Sequence, residues 1–379
     1  MTYGIADLPL HSGRVPLWML KYMEKMARSI VRVLIELRGE ETLINGLSDP
    51  LWFQAFNNII GMDWDSSGST TVLTAILKKI SWEEDLGFIV LGGKGQKMRE
   101  IPVEAEFIFK GRSIDLDPEM LSSFSKIAAR VDSSLLQDGY DLYHHTLIAT
   151  NSSLLVIQQG MNAEKGLARR YHVRHPRVEE PHSGIAGVRG PALDLSSRNS
   201  RRSRKIMLEV LAEGPRKAVK DFYEAYRILR GLKPLAFFIG GAGLEDDKTH
   251  KRRIAYYKPV RPSRTVIKGI EDLARFQPSS ELDLLLAPKL GPQVVRALAL
   301  VAELVYSAPP SKEDPVTHPI DPYIFSYAVG GKDRVPYPFN KKTAAKTALI
   351  LEEAILEAKV DKKEKERMLK RLRDTLRGL

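Results

Sequence analysis

Histidine, carboxylate and side-chain amide groups gather in one stretch of the chain. Asp138 stands just ahead of an apolar run that carries His144 and His145, and Gln158 and Gln159 end the next run. Arg169, Arg170 and His172 follow within RRYHVRHPR, and His182 within EEPHSG. Histidine changes charge near neutral pH, so beside carboxylates and amides it suits a divalent-metal site or general acid–base chemistry. Singly, each histidine reads as an ordinary structural residue; their convergence with Gln-Gln and Arg-Arg pairs makes a reactive site the expectation. Known signatures are absent: no lysine lies two residues after an acidic residue in the second run, as PD-(D/E)xK requires, and neither HExxH nor GxSxG occurs. The chain has no cysteine, which excludes disulfides, thiolate metal sites and a thiol nucleophile.

Strands are the elements that must position this set. Leu142–Ala149 and Leu154–Gln158 read as a pair joined by a turn at Thr150–Ser153. Alternation then places Tyr143 and His145 on one face and Leu142, His144 and Thr146 on the other. Phe88–Leu91 is a further short strand leading into GGKGQK, read as a loop with a solvated lysine because it lacks the spacing of a phosphate-binding Walker loop. Helices surround them. Pro16 to about Arg38 repeats apolar residues at spacings of three and four, and Leu51–Ile60, Val72–Ile80 and 119–136 follow. Arg169 to Lys205 is rich in Arg, Gly, Pro and Ser, and SRNSRRSRK reads as a basic loop or hinge. Helices are expected again at 204–213, 217–230 and through 280–359, with a charged C-terminal helix docking through Met368, Leu369, Leu372 and Leu376.

The net charge of +11 favours a polyanionic partner. No run approaches the ~18 apolar residues of a membrane span, and no basic-then-apolar leader opens the chain. No membrane partner and a cytoplasmic location are therefore expected.

One segment bears on the partner directly. ELDLLLAPKLGPQVVRALALVAELVYSAP reads as a short helix at Leu282–Leu286, a tight turn over 287–292, and a second helix from about Gln293 to Tyr306. It resembles the helix-hairpin-helix of DNA repair glycosylases, polymerases and structure-specific nucleases, except that Lys289 stands where that hairpin has its first glycine. The resemblance implies that Gly291 allows a tight turn and that Pro292 starts the second helix. Amides at the helix start would then grip a phosphate, with Lys289 and Arg296 adding charge. Such contacts hold backbone rather than bases. Arg201 and Arg202 of the basic run and Lys332 complete the expected DNA-binding set.

The motifs ADLPLHSGRVPLWM, LSDPLWFQAF, GMDWDSSGSTT, GGKGQ, LQDGYDLYHH, VIQQGMN, ARRYHV, EEPHSGI and YAVGGKDRVPYPFN together resemble the family called domain of unknown function 763 over nearly the whole chain. What that resemblance implies is endonuclease action on locally unpaired duplex DNA. Asp65 stands where the family pattern has His, and Arg334 where it has Gly, so activity in this member hangs on whether either touches the reacting phosphate.

The sequence therefore leads to an α+β fold, with a small antiparallel sheet and helices in the N-terminal half and a mostly helical C-terminal domain holding the hairpin. The expected divisions are a catalytic domain over 1–190, a basic connector over 191–264 and a helical domain over 265–379. The expected function is a structure-selective, metal-dependent DNA endonuclease, with a role in DNA repair. Asp138, His145 (or His144) and Gln158 would hold Mg2+ or Mn2+, and Arg169 or Arg170 would stabilise charge at phosphorus. His172 or His182 would protonate the leaving oxygen. The alternatives are a base-excision glycosylase using Asp321 or Asp333, and a non-catalytic binder of unusual DNA structures. Oligomeric state stays open, a homodimer included.

Overall fold

A computed structural model describes residues 8–9, 17–60, 67–108, 113–187, 189–230, 260–318, 352–353, 355–356 and 361–377. Four helices come first: α1 (Leu17–Arg38), α2 (Glu40–Leu47), α3 (Pro50–Ile60) and α4 (Ser67–Glu83). Gly39 breaks α1 from α2 at a positive φ of 78°, a conformation glycine takes without steric cost. Strand β2 (Ile89–Lys94), α5 (Ile101–Ile108) and α6 (Pro118–Arg130) follow, after a two-residue β1 (Leu8–Pro9). Asp117 caps α6 by accepting from the Glu119 amide, with Pro118 in the first turn.

The α+β expectation holds. The sheet has six antiparallel strands in the order β1–β6–β5–β4–β2, where β4 is Asp141–Ala149, β5 is Leu154–Asn162 and β6 is Leu167–Val173. β7 (His182–Ala186) also pairs with β6. The strand β6 was not expected, because ARRYHV is almost as polar as a loop; its arginines are strand residues held inside the protein. Short strands β3 (Leu136–Gln137) and β8 (Leu193–Asp194) pair apart from the main sheet.

Each face of the sheet is covered, which is why its central strands carry buried residues at consecutive positions. Phe53, Phe56, Leu73 and Leu77 of α3 and α4 pack on Ile148, Leu155 and Ile157. Ile101, Ala105, Leu121 and Phe124 of α5 and α6 pack on Leu147, Val156 and Val173 from the other side. The C-terminal α12 (Lys362–Arg377) docks on the first of these cores through Met368, with Leu369 beside it.

The remaining helices share a third core: α7 (Arg201–Ala212), α8 (Pro215–Leu229), α9 (Arg264–Phe276), α10 (Glu281–Leu286) and α11 (Pro292–Leu304). Met207, Leu211, Phe222, Ile270, Leu273 and Leu298 pack there with Ile127, Val131 and Leu135 from the end of α6. The basic run SRNSRRSRK is accordingly no hinge. It forms a 3-10 turn at Arg198–Ser200 and the start of α7. Arg204 lies buried there, donating to Glu281 at 2.8 Å and Glu179 at 3.0 Å and to the Leu195 and Ser197 carbonyls. Three of the run's five cations, Arg198, Arg201 and Arg204, pair with Glu179, Glu180 and Glu281. Among the described residues, no helix is long and apolar enough to cross a membrane.

Candidate functional site

Strand register sorts the expected site residues onto opposite faces. Gln159 lies between His144 on one side and Arg170 on the other, and Ile157 is opposite His172. These polar residues point with Ile148 and Ile157 toward α3 and α4. Gln158 lies between His145 and Tyr171, which point with Leu147 and Val156 toward α6. One residue of register separates the sets, so neighbours in sequence are separated by the sheet.

On the α3–α4 side every polar group is buried. The Thr74 hydroxyl donates to the Thr70 carbonyl at 2.7 Å, and His144 Nε2 lies 3.1 Å from Thr74 Oγ1 and 2.8 Å from Thr146 Oγ1, while its Nδ1 has no partner among the described residues. His172 donates from Nδ1 to the Leu47 carbonyl at 2.8 Å, and its Nε2 has no partner. Arg170 donates to Gln54 at 3.2 Å and stacks on Phe53 at 4.5 Å. Gln159 accepts from Tyr143, leaving its amide nitrogen unpaired, and Asn57 Oδ1 and Thr70 Oγ1 are likewise unpaired. Burial lowers the pKa of His144 to about 3, with His145 and Lys94 adding to the effect. Burial likewise carries His172 well below the histidine range, Arg170 contributing. Both rings are neutral. An unpaired buried polar atom costs about 1–3 kcal/mol, and five lie in this layer without a partner among the described residues.

The α6 side holds two separate networks. Asp138 is tied to the first. Its carboxylate accepts from Arg169 at 2.7 Å, from the Tyr171 hydroxyl at 2.7 Å and from the Tyr140 amide at 3.1 Å. Arg169 also reaches both oxygens of Asp314, at 3.1 and 2.9 Å. Burial pushes the Asp138 carboxyl upward, and Arg169 opposes it. Asp138 thus braces an arginine between two carboxylates instead of joining His145 and Gln158. Asp314, missed from the sequence, arrives on the 311–318 segment, which bonds back to β7 and β8.

The second network is a chain of five side chains. Asp132 accepts from Gln158 Nε2 at 2.5 Å and pairs with His182 Nε2 at 2.6 Å. Gln158 spends its other N–H on the Ala128 carbonyl at 3.0 Å, so its oxygen must accept, and His145 Nδ1 donates to it at 2.7 Å. That fixes the tautomer. His145 Nε2 keeps its lone pair and accepts from the Ser125 hydroxyl at 2.8 Å. Burial lowers the His145 pKa, against Gln158 and Asp132, so the ring is neutral and its Nε2 lone pair can accept. His182 goes the other way: burial opposes its charge, but Asp132 outweighs burial and raises the pKa. Asp132 is presented by a π-helical turn, Val131–Leu135, that continues α6; such turns often mark functional positions. Ser125, like Asp314, was missed from the sequence. Its only signal is that it sits seven residues before Asp132 on the same amphipathic helix.

Ser125 and His145 line a cleft of about 1040 Å³ between α5, α6 and the end of α10. Arg99, Lys126 and Arg130 line it too, as do exposed Glu106 and Glu119. Lys126 donates to the Leu286 carbonyl at 2.8 Å, and Arg130 donates to the carbonyls of Leu285 and Ala287. Neither has a carboxylate partner among the described residues.

These bonds hold the α10–α11 hairpin against α6. The helix–turn–helix outline is as expected, but the turn differs in which residue carries the special conformation. Gly291 has an ordinary extended backbone, φ −136°, with open space where a Cβ would go. Lys289 has the positive φ, 60°, where the DNA-repair hairpin has a glycine. Lys289 is exposed and paired with Asp272 at 2.9 Å, Pro292 is exposed at the start of α11, and no side chain caps that helix. Arg296 donates to Gln137 at 2.7 Å and braces α11 to β3. Arg201 binds Glu179 through two nitrogens at 3.0 Å, whereas Arg202 is exposed. Lys332, Asp321, Asp333, Arg334 and Asp65 lie outside the described residues.

The expected Mg2+ or Mn2+ set of Asp138, His145 and Gln158 is not assembled. Both nitrogens of His145 and the amide of Gln158 are bonded to protein, and Asp138 belongs to Arg169. Among the described residues no three His, Asp or Glu side chains are grouped to hold a metal ion. No curated protein and no solved structure matches the chain. A family description does, over residues 4–339, and the chain belongs to that family, Protein of unknown function (DUF763).

Proposed function

We propose that the chain is a DNA endonuclease that breaks phosphodiesters in the cleft beside α6, selecting substrates by structure. The observation that carries this reading is the pairing, in one cleft, of a neutral His145 with Lys126 and Arg130, two cations without a carboxylate partner among the described residues. A phosphodiester is an anion that needs a base at the attacking oxygen and positive charge at the non-bridging oxygens. The hairpin supports the same reading. It borders the cleft through Leu286, and the uncapped start of α11 offers amides to a strand backbone in the manner of a helix-hairpin-helix. The net charge of +11 supports attraction of the polyanion to the surface.

The test is nicking of bubble, flap and fully paired DNA by the full chain and by His145→Ala, with Mn2+, with Mg2+ and with EDTA. Bubble and flap substrates are expected to be nicked, and removing the base to slow the reaction about 10²–10⁴-fold. Intact substrates after incubation in all three conditions would overturn the proposal.

A further inference from the structure

We infer that Ser125 is the nucleophile of the cleft, so that strand breakage leaves a serine phosphodiester between protein and DNA. The inference rests on the endonuclease reading for its substrate, though not for the nucleophile. His145 has one lone pair, on Nε2, because Gln158 takes the proton on Nδ1. Ser125 Oγ occupies that lone pair at 2.8 Å. A water in the cleft has no free base at His145; the proton His145 is set to take is that of Ser125. The order serine–histidine–amide has the logic of nucleophilic triads in which an amide, in place of a carboxylate, orients the imidazole. Asp132 then orients the amide from behind through Gln158 Nε2.

The step balances without an oxidant, reductant or added group. Ser125 Oγ forms a bond to phosphorus while the bond from phosphorus to one deoxyribose oxygen breaks. The Ser125 proton passes to His145 Nε2 and from there to the departing oxygen, which leaves as a hydroxyl. Lys126 and Arg130 line the same cleft and supply it with positive charge. The product keeps its phosphodiester, now to Ser125, so reversal by the same hydroxyl reseals the strand and attack by water releases a 5′- or 3′-phosphate. Resealing is a consequence a metal-activated water would not have.

Two assays on the full chain separate the claims. In the first, end-labelled bubble DNA is incubated with the protein and the mixture is denatured in detergent. Label migrating with protein, lost in Ser125→Ala, is the expected result, with strand breakage in that variant down about a hundredfold or more. In the second, a fluorophosphonate reagent that modifies activated serines is applied without DNA, and the labelled residue is located by peptide mass. Ser125 is expected to be modified, and His145→Ala to abolish the modification. Nicking that persists in Ser125→Ala without an adduct overturns the nucleophile and leaves the endonuclease standing. Modification of Ser125 by a chain that cuts no DNA overturns the endonuclease and leaves the nucleophile. No modification in the second assay, or modification at Ser122 or Ser123 instead, overturns the assignment.

Discussion

Acidification from pH 6.5 to 5.5 should cost this fold about 2 kcal/mol, and His144 and His172 set the figure. Both are buried, and their pKa values, like that of His145, lie below the ordinary 6.5, chiefly through burial. In the native state they stay neutral, His144 down to about pH 3. In the unfolded chain each protonates around pH 6.5. The unfolded state therefore binds more protons below that value, so stability is full above pH 6.5 and falls with pH. Between pH 6.5 and 5.5 an unfolded histidine passes from half to about nine-tenths protonated, worth about 1 kcal/mol of linkage for each. His182 has the opposite sign: its raised pKa adds stability that is fully present below 6.5 and lost as pH rises through its native value. Within the acid window it gives back only a few tenths of a kcal/mol. Asp138 and Asp194, whose carboxyls burial pushes upward, share the sign of His182. Urea unfolding at the two pH values measures the difference, against a total stability on the order of 5–15 kcal/mol. His172→Gln should remove about half of this pH dependence. Equal unfolding free energies at pH 6.5 and 5.5, within about 0.5 kcal/mol, would refute the neutral, buried assignment of these rings.

Other substitutions separate structural from exposed residues. Asp138→Ala leaves Arg169 with Asp314 as its carboxylate partner among the described residues and should lower stability by about 3 kcal/mol, read by thermal unfolding; a change under about 1 kcal/mol would return Asp138 to the list of functional groups. Arg204→Ala should cost about 3–5 kcal/mol by breaking two ion pairs at a buried guanidinium, whereas exposed Arg202→Ala should stay within about 0.5 kcal/mol. At the hairpin tip, Lys289→Gly should stabilise by about 1 kcal/mol through relief of the positive φ, and Gly291→Val, on extended backbone with open space, should change stability by less than about 0.5 kcal/mol.

Periodicity made the helices and the first strands legible, because burial on one side imposes a repeat that composition displays. Met23, Met26, Ile30 and Leu34 recur at helical spacing in the sequence and all lie in the core. Where polar residues are buried the repeat vanishes. ARRYHV is a core strand because Asp138, Asp314 and Gln54 receive its two arginines, and those partners come from three other places in the chain. The basic run was misread for the same reason, since its neutralising Glu179 and Glu281 are distant in sequence. The hairpin outline was legible from Pro292 and the flanking leucines. Which turn residue carries the positive φ was not, because both Lys289 and Gly291 fit the spacing and only the backbone distinguishes them.

Alternation along a strand assigns residues to faces but does not say which other strand residues share them. His144 with Gln159 and Arg170, and His145 with Gln158, follow only from the pairing of β4 with β5 and β6. Once the register is known, hydrogen-bond accounting distinguishes the two sides. In the α3–α4 layer five buried atoms have no partner among the described residues. On the α6 side, the fixed amide of Gln158 dictates the protons of its neighbours out to the Ser125 hydroxyl. An exchange of Gln158 for Glu tests that propagation without deleting a side chain. A carboxylate in place of the amide loses both donors, so the Ala128 carbonyl and Asp132 face an added negative charge. Two carboxylates at 2.5 Å cannot both stay ionised, so Gln158→Glu should take up a proton and raise the pKa of His145 together. Carbon-13 NMR of the His145 ring, titrated between pH 5 and 8, should show neutral His145 throughout in the parent and a titrating ring in the variant. A ring that remains neutral in both would mean that Gln158 does not set the state of His145, and the route from Asp132 to Ser125 would be broken at that link.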